Sequence, residues 1–205
     1  MKEKLRLYLI ADFKYYDENF LKKVEEAIKG GVTAVQVRCV EGGDRKFLHI
    51  AREVQKITQD HNVLFFINNR ADIAFILDAD GLHLGQEDLP VEEARRIVGN
   101  KIIGISVGNE YELDYALKTD VDYLSFGSVF VTPTKEDAGE PIGTEGLRKL
   151  VKLSDDRPKI AIGGITLENV KEVMDAGVDG IAVSSALMLA RNPFDVARKF
   201  REITG

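Results

Sequence analysis

Short apolar runs and stretches of helical period alternate along the whole chain. Residues 5–11 form an apolar run interrupted by Arg6, and after Asn19 the residues Leu21, Val24, Ala27 and Ile28 keep helical spacing up to Gly30-Gly31. Residues 33–38 are a β-branched run ending in Gln36 and Arg38. Phe47, Leu48, Ala51, Val54 and Ile57 then recur at helical spacing behind Asp44, which reads as the cap. A third run, 63–67, leads into Asn68-Asn69-Arg70 and a short helix over 71–77. A fourth, 81–84, ends in Gly85-Gln86-Glu87-Asp88, with Pro90 opening the next helix. Strands are also predicted over 101–107 and 122–126, with a helix at 110–117 between them. A long loop, 127–143, and a helix, 146–153, follow. Residues 159–162 end at Gly163-Gly164, and Thr166 stands at a helix-cap position before Val170, Val173 and Met174, with Ala176-Gly177 closing that helix. Residues 180–183 form the last run, ending in Ser184-Ser185, and 194–203 is the closing helix.

Eight short strands alternating with about eight helices, each strand buried on both faces, predict a closed parallel (β/α)8 TIM barrel. An open doubly wound sheet is the alternative, but it rarely uses so many short units without a larger glycine fingerprint. No linker-like composition divides residues 1–205, so a single domain is expected. The units share no word beyond the βα pattern itself.

Charge narrows the function. The 34 acidic residues outnumber the 28 basic ones, which disfavours a general nucleic-acid binder while leaving room for a local basic pocket. Cys39 is the one cysteine, so no internal disulfide forms, and it has no partnered base in view. The apolar segment near the N-terminus is too short and too charged for a signal or a membrane span. The expectation is a soluble cytoplasmic protein with no membrane or nucleic-acid partner; its oligomeric state, homo-oligomers included, stays open.

In a barrel of this kind chemistry gathers at the C-terminal ends of the strands. Those ends carry Gln36 and Arg38, Asn68 and Asn69, Gln86 to Asp88, Ser106, Thr132 to Lys135, Gly164, Ser184 and Ser185. The glycines and serines after the last two strands offer backbone N–H groups to an anion, phosphate in particular. Arg38 and Lys135 beside the Asp88 carboxylate suit a magnesium diphosphate. Plainer roles compete: Arg38 pairing with Glu41 or Asp88, Asp88 capping the helix near Pro90, Ser106 as an ordinary strand-end serine, and glycines that only permit tight turns. His83 reads as a hydrogen-bonded core histidine rather than a metal ligand, since the three histidines do not cluster. Lys101 and Lys159 begin strands, on the opposite rim, which argues against a Schiff-base lysine.

The words Leu7-Tyr8-Leu9-Ile10-Ala11-Asp12, Val35-Gln36-Val37-Arg38, Gly81-Leu82-His83-Leu84-Gly85-Gln86-Glu87-Asp88, Thr132-Pro133-Thr134-Lys135 and Ala161-Ile162-Gly163-Gly164-Ile165 resemble the thiamine-phosphate synthase family, in order over nearly the whole chain. The resemblance implies a barrel that joins hydroxymethylpyrimidine diphosphate to a thiazole phosphate, releasing diphosphate, with magnesium (Mg2+) as cofactor. It implies that Gln36, Arg38, Asn68 and Lys135 meet the pyrimidine diphosphate, that Asp88 holds magnesium, and that Ser106 touches substrate. Thr132 and Thr134 would contact the thiazole phosphate, whose phosphate rests on Gly164, Ser184 and Ser185. Arg38, Lys135 and Ser106 are the expected catalytic groups.

Two departures stand out. Cys39 and Val40 replace an acidic residue and a lysine that usually follow the strand-2 arginine. Asn69 replaces an aspartate that would be a second magnesium ligand. A weakened synthase is one outcome. The related thiazole tautomerases are another, although Ser128 occupies the position of their expected histidine. A non-catalytic binder of thiazole phosphate is the third.

Overall fold

The computed structural model describes residues 1–39, 43–132, 134 and 140–205. Its strands are β1 (Leu7–Asp12), β2 (Ala34–Arg38), β3 (Leu64–Asn68), β4 (Gly81–Leu84), β5 (Ile102–Val107), β6 (Tyr123–Phe126), β7 (Lys159–Ile162) and β8 (Gly180–Val183). They pair in parallel, each with the next, and β8 returns to β1 to close a barrel. The helices between them are α1 (Phe20–Lys29), α2 (Asp44–Asp60), α3 (Ala71–Ile76), α4 (Val91–Val98), α5 (Glu110–Leu117), α6 (Gly143–Leu153) and α7 (Val170–Met174). α8 (Ser185–Met188) and α9 (Pro193–Thr204) follow the last strand.

Strand alternation produces two apolar layers. Leu9, Val35, Phe65, Leu82, Ile103, Leu124, Ala161 and Ile181 face outward into the shell of helices. Tyr8, Ile10, Ala34, Phe66, Tyr123, Ile160 and Ala182 fill the barrel itself, with Leu5 from the preceding short 3-10 turn. Large and small residues alternate inside: Gly104 lies against the ring of Tyr123, where any side chain would collide.

Along the inner positions, β1, β2, β3 and β5 turn polar toward their C-terminal ends, while β7 and β8 stay apolar up to the glycine and serine turns that follow them. Tyr8-Ile10-Asp12, Ala34-Gln36-Arg38, Leu64-Phe66-Asn68 and Ile102-Gly104-Ser106 all run from apolar to polar. The base of the barrel is therefore a packed core, while its other mouth is lined by hydrogen-bonding groups.

The opposite rim carries a regular side-chain device. Thr33 Oγ1 accepts a hydrogen bond from Leu7 N at 3.1 Å. Asp80 accepts from Phe65 N at 2.9 Å, Asp122 from Ile103 N at 2.8 Å, and Asp179 from Lys159 N at 2.9 Å. Each acceptor immediately precedes an even-numbered strand and ties down the start of the odd-numbered strand before it. The units share no sequence word, yet the barrel repeats with a period of two βα units.

Several local expectations are corrected. Asp44 is the first residue of α2 rather than its cap, which is Gly43 with φ +73°; the Asp44 carboxylate instead accepts from Arg70 at 2.7 Å. Thr166 does not cap α7: its hydroxyl accepts from Glu168 N in a preceding turn, and Asn169 stands at the cap. The first strand begins at Leu7 because the chain before it is wound into a 3-10 turn. α6 starts at Gly143, whose φ of +65° lets the loop turn directly into the helix, rather than at 146.

Candidate functional site

One cavity opens at the polar mouth. Gln36, Arg38, Asn68, Asn69, Asp88 and Ser106 line it from β2 to β5, and Thr132, Thr134, Gly164, Ser184 and Ser185 line it from the loops after β6, β7 and β8. Every described residue expected at the site therefore reaches the same cavity. Val40 and Lys135, also expected there, lie outside the described residues.

Arg38 does not pair with Asp88, one of the two partners expected for it; Glu41, the other, is outside the described residues. Its guanidinium meets the buried carboxylate of Asp12, which is its register neighbour at the end of β1. The other Asp12 oxygen accepts from Lys14 N at 2.9 Å. One carboxylate thus orients the Arg38 fork and holds the turn after β1. Phe13 in that turn is pinned edge-on against Phe20 and Phe47, and the Tyr15 hydroxyl lies 2.9 Å from Thr134 Oγ1 across the mouth. Asp12 was not anticipated as a site residue. The sequence marks only a carboxylate at the end of the first apolar run, in line with Tyr8; its pairing with Arg38 depends on strand register, which no local pattern marks.

Asp88 is not the cap of α4, a place taken by Pro90. One Asp88 oxygen accepts from Gly85 N at 2.6 Å, closing the loop after β4 on itself and presenting the carboxylate to the cavity. Asn69 lines the same cavity in left-handed backbone, φ +63°, fixed by its N–H donating to the His83 carbonyl at 2.8 Å. Across the barrel, Gly163 and Gly164 have φ of +102° and +63°. A side chain on Gly164 would run into Val131 and Phe130, so only glycine lets this turn pack against the loop after β6. The Ser184 hydroxyl donates to the Ile10 carbonyl at 2.8 Å, which fixes the turn into α8.

Along the floor of the cavity runs a buried file of polar side chains, of which Tyr8, Gln36, His83 and Ser106 line it. Gln36 Nε2 donates to the Tyr8 oxygen at 3.1 Å, and the Tyr123 hydroxyl donates to Tyr8 at 3.3 Å. His83 Nδ1 lies 2.7 Å from the Tyr123 hydroxyl, and Nε2 lies 3.0 Å from Ser106 Oγ. His83 is thus the hydrogen-bonded core histidine its apolar strand implied. Burial pushes both phenols above the ordinary tyrosine range. Burial also raises the Cys39 thiol, which suits a cysteine that is no nucleophile.

A closed parallel barrel with a glycine and serine cradle after its last two strands, and an arginine and a carboxylate on the facing arc, defines a phosphate-handling (β/α)8 enzyme. The family model described as thiamine monophosphate synthase matches residues 7–187. A thiamine-phosphate synthase of Clostridium novyi is 50% identical over 185 residues, 89% of this chain and 90% of that protein. One from Pyrococcus abyssi is 44% identical over 202 residues, covering 98% and 96%. The solved thiamine phosphate pyrophosphorylase of Pyrococcus furiosus superposes with a TM-score of 0.91 at 43% identity, over 99% of this chain and 96% of its own. The chain belongs to the thiamine monophosphate synthase family, and it is a transferase.

Proposed function

We propose that the chain condenses hydroxymethylpyrimidine diphosphate with a thiazole phosphate, giving thiamine phosphate and free diphosphate. The observation that carries this reading is that two sets of polar groups line one mouth, each suited to an anion. Arg38, Asn68, Asn69 and Asp88 stand on the arc from β2 to β4, and Gly164, Ser184 and Ser185 stand on the arc from β7 to β8. Joining a diphosphate ester to a monophosphate needs both.

In this reading diphosphate departs with the electron pair of its carbon–oxygen bond. The thiazole nitrogen then gives its lone pair to the carbon left behind. One C–O bond is exchanged for one C–N bond, and no proton has to be removed. Positioning and charge neutralisation are then sufficient. Arg38, oriented by Asp12, meets the diphosphate with Asn68 and Lys135, and Gln36 and Ser106 face the pyrimidine. Thr132 and Thr134 hold the thiazole phosphate, whose phosphate rests on Gly164, Ser184 and Ser185.

The donor set fits magnesium. Asp88 offers a carboxylate and Asn69 an amide oxygen, both hard donors lining the same cavity, and this ion commonly takes one or two carboxylates plus substrate phosphates. Among the described residues no group of three His, Cys, Asp or Glu side chains is placed to hold a metal without such help. Bound there, the ion would neutralise charge on the leaving diphosphate. Ser128, whose hydroxyl donates to the Phe130 carbonyl at 2.7 Å, stands where the tautomerase alternative expects a histidine, so no imidazole is offered at that position.

The test is an assay of purified protein with both substrates and magnesium. Equimolar diphosphate and thiamine phosphate are expected. Absence of both, or diphosphate without thiamine phosphate, would overturn the reading.

A further inference from the structure

We infer that His83 is a positioning residue that acts through Ser106, holding the serine proton away from the cavity so that its oxygen faces substrate as an acceptor. The activity arm of this inference rests on the synthase reading; its spectroscopic arm does not.

Each hydroxyl along the buried file has one proton to donate. Tyr123 donates its hydroxyl hydrogen to Tyr8, and a phenol has one such hydrogen to give. Toward His83, 2.7 Å away, the Tyr123 oxygen can therefore only accept, so Nδ1 is the ring nitrogen that bears hydrogen. In the neutral ring Nε2 then carries the lone pair. Its neighbour at 3.0 Å is Ser106 Oγ, which must be the donor. Ser106 has no second hydroxyl hydrogen, so what it shows to the cavity is lone pairs. A further bond, from Gln86 Nε2 to the Ser106 carbonyl at 2.6 Å, fixes the backbone on which the hydroxyl turns. The geometry selects a substrate group with an N–H or O–H at that point, such as the amino group of an aminopyrimidine, over one presenting an acceptor.

The file also explains why polar side chains occupy a barrel core. Tyr8 and Tyr123 are fully buried, and phenylalanines would pack equally well without asking for partners. Their hydroxyls link Gln36 on β2 to Ser106 on β5, two cavity-lining residues on different strands.

The first experiment is nitrogen NMR of the neutral His83 ring in the wild-type protein. Hydrogen on Nδ1 and a lone pair on Nε2 are expected; the opposite tautomer overturns the inference, whatever the enzyme's activity. Tyr123→Phe removes the acceptor of the Nδ1 hydrogen and should shift the ring toward the other tautomer, and unchanged nitrogen shifts would count against the relay. In kinetics, His83→Leu should lower kcat about tenfold, and His83→Gln, which restores an acceptor toward Ser106, should recover most of that loss. In a Ser106→Ala background the His83→Leu change should cost almost nothing further. An equal loss in both backgrounds would mean that His83 acts by packing or through its own face of the cavity, and not through Ser106.

Discussion

In the proposed synthase Asn69 is the neutral donor that joins the Asp88 carboxylate offered to magnesium. Its left-handed backbone is one that aspartate also tolerates, so Asn69→Asp should fold normally. It would place a second carboxylate in the cavity that Asp88 lines, and magnesium attraction rises with ligand charge. The magnesium concentration giving half-maximal rate should fall; no change would show that Asn69 does not face the ion. The buried phenols make a separate prediction. Tyr8 and Tyr123 titrate above the unfolded tyrosine value of about 10. Their stabilisation is therefore intact below pH ~10 and is lost as pH rises from there toward their folded pKa values. Each contributes a slope of up to about 1.4 kcal/mol per pH unit. Denaturant unfolding of Tyr8→Phe and Tyr123→Phe between pH 9 and 11 should show a shallower alkaline decline than the wild type.

At the level of elements, the turn after β1 joins what the strands hold apart. Asp12 grips Arg38 from β2 and the Lys14 amide, and Tyr15 in the same turn reaches Thr134 in the loop after β6. Asp12→Asn keeps an acceptor for the amide but removes the charge facing Arg38. It should cost about 1–3 kcal/mol of stability, read from the denaturation midpoint, and raise KM for the diphosphate substrate more than for the thiazole phosphate. The cradle after β7 and β8 makes its own prediction. Phosphorylated thiazole at about 100 times its dissociation constant should add about 2.7 kcal/mol of stability, and the free alcohol far less; equal thermal shifts would remove Gly164, Ser184 and Ser185 from the phosphate site. The bounds of β4, β7, β8 and α5 were legible because strong turn residues flank short periodic runs. Asp12 was not, because its partner lies 26 residues away, and register across strands is absent from any local pattern.

Across the whole molecule, the count of strands and their alternation with helices declared the barrel, and the polar strand ends declared its working mouth. The buried file did not declare itself, since a tyrosine in a buried strand looks like any other large apolar residue until its hydroxyl finds a partner. Nor did the ties on the opposite rim, where Asp80, Asp122 and Asp179 read as ordinary loop acids. Those ties make four modules, β1–β2, β3–β4, β5–β6 and β7–β8, each holding its own amide acceptor. The chain therefore has a natural seam at the loop after α4. Two polypeptides, residues 1–99 and 100–205, would each contain two complete modules; they would have to re-pair β4 with β5 and β8 with β1, and to restore the contacts of Arg95 with Asp120 and Asp122 and of Asp78 with Lys101. Co-expressed, they should assemble into a soluble heterodimer that binds thiazole phosphate. A break one unit earlier, after residue 78, would strand the Phe65 amide from Asp80 on the other piece, and its halves should assemble less well. Equal recovery from both breaks would mean that the seam has no bearing on how the chain comes together.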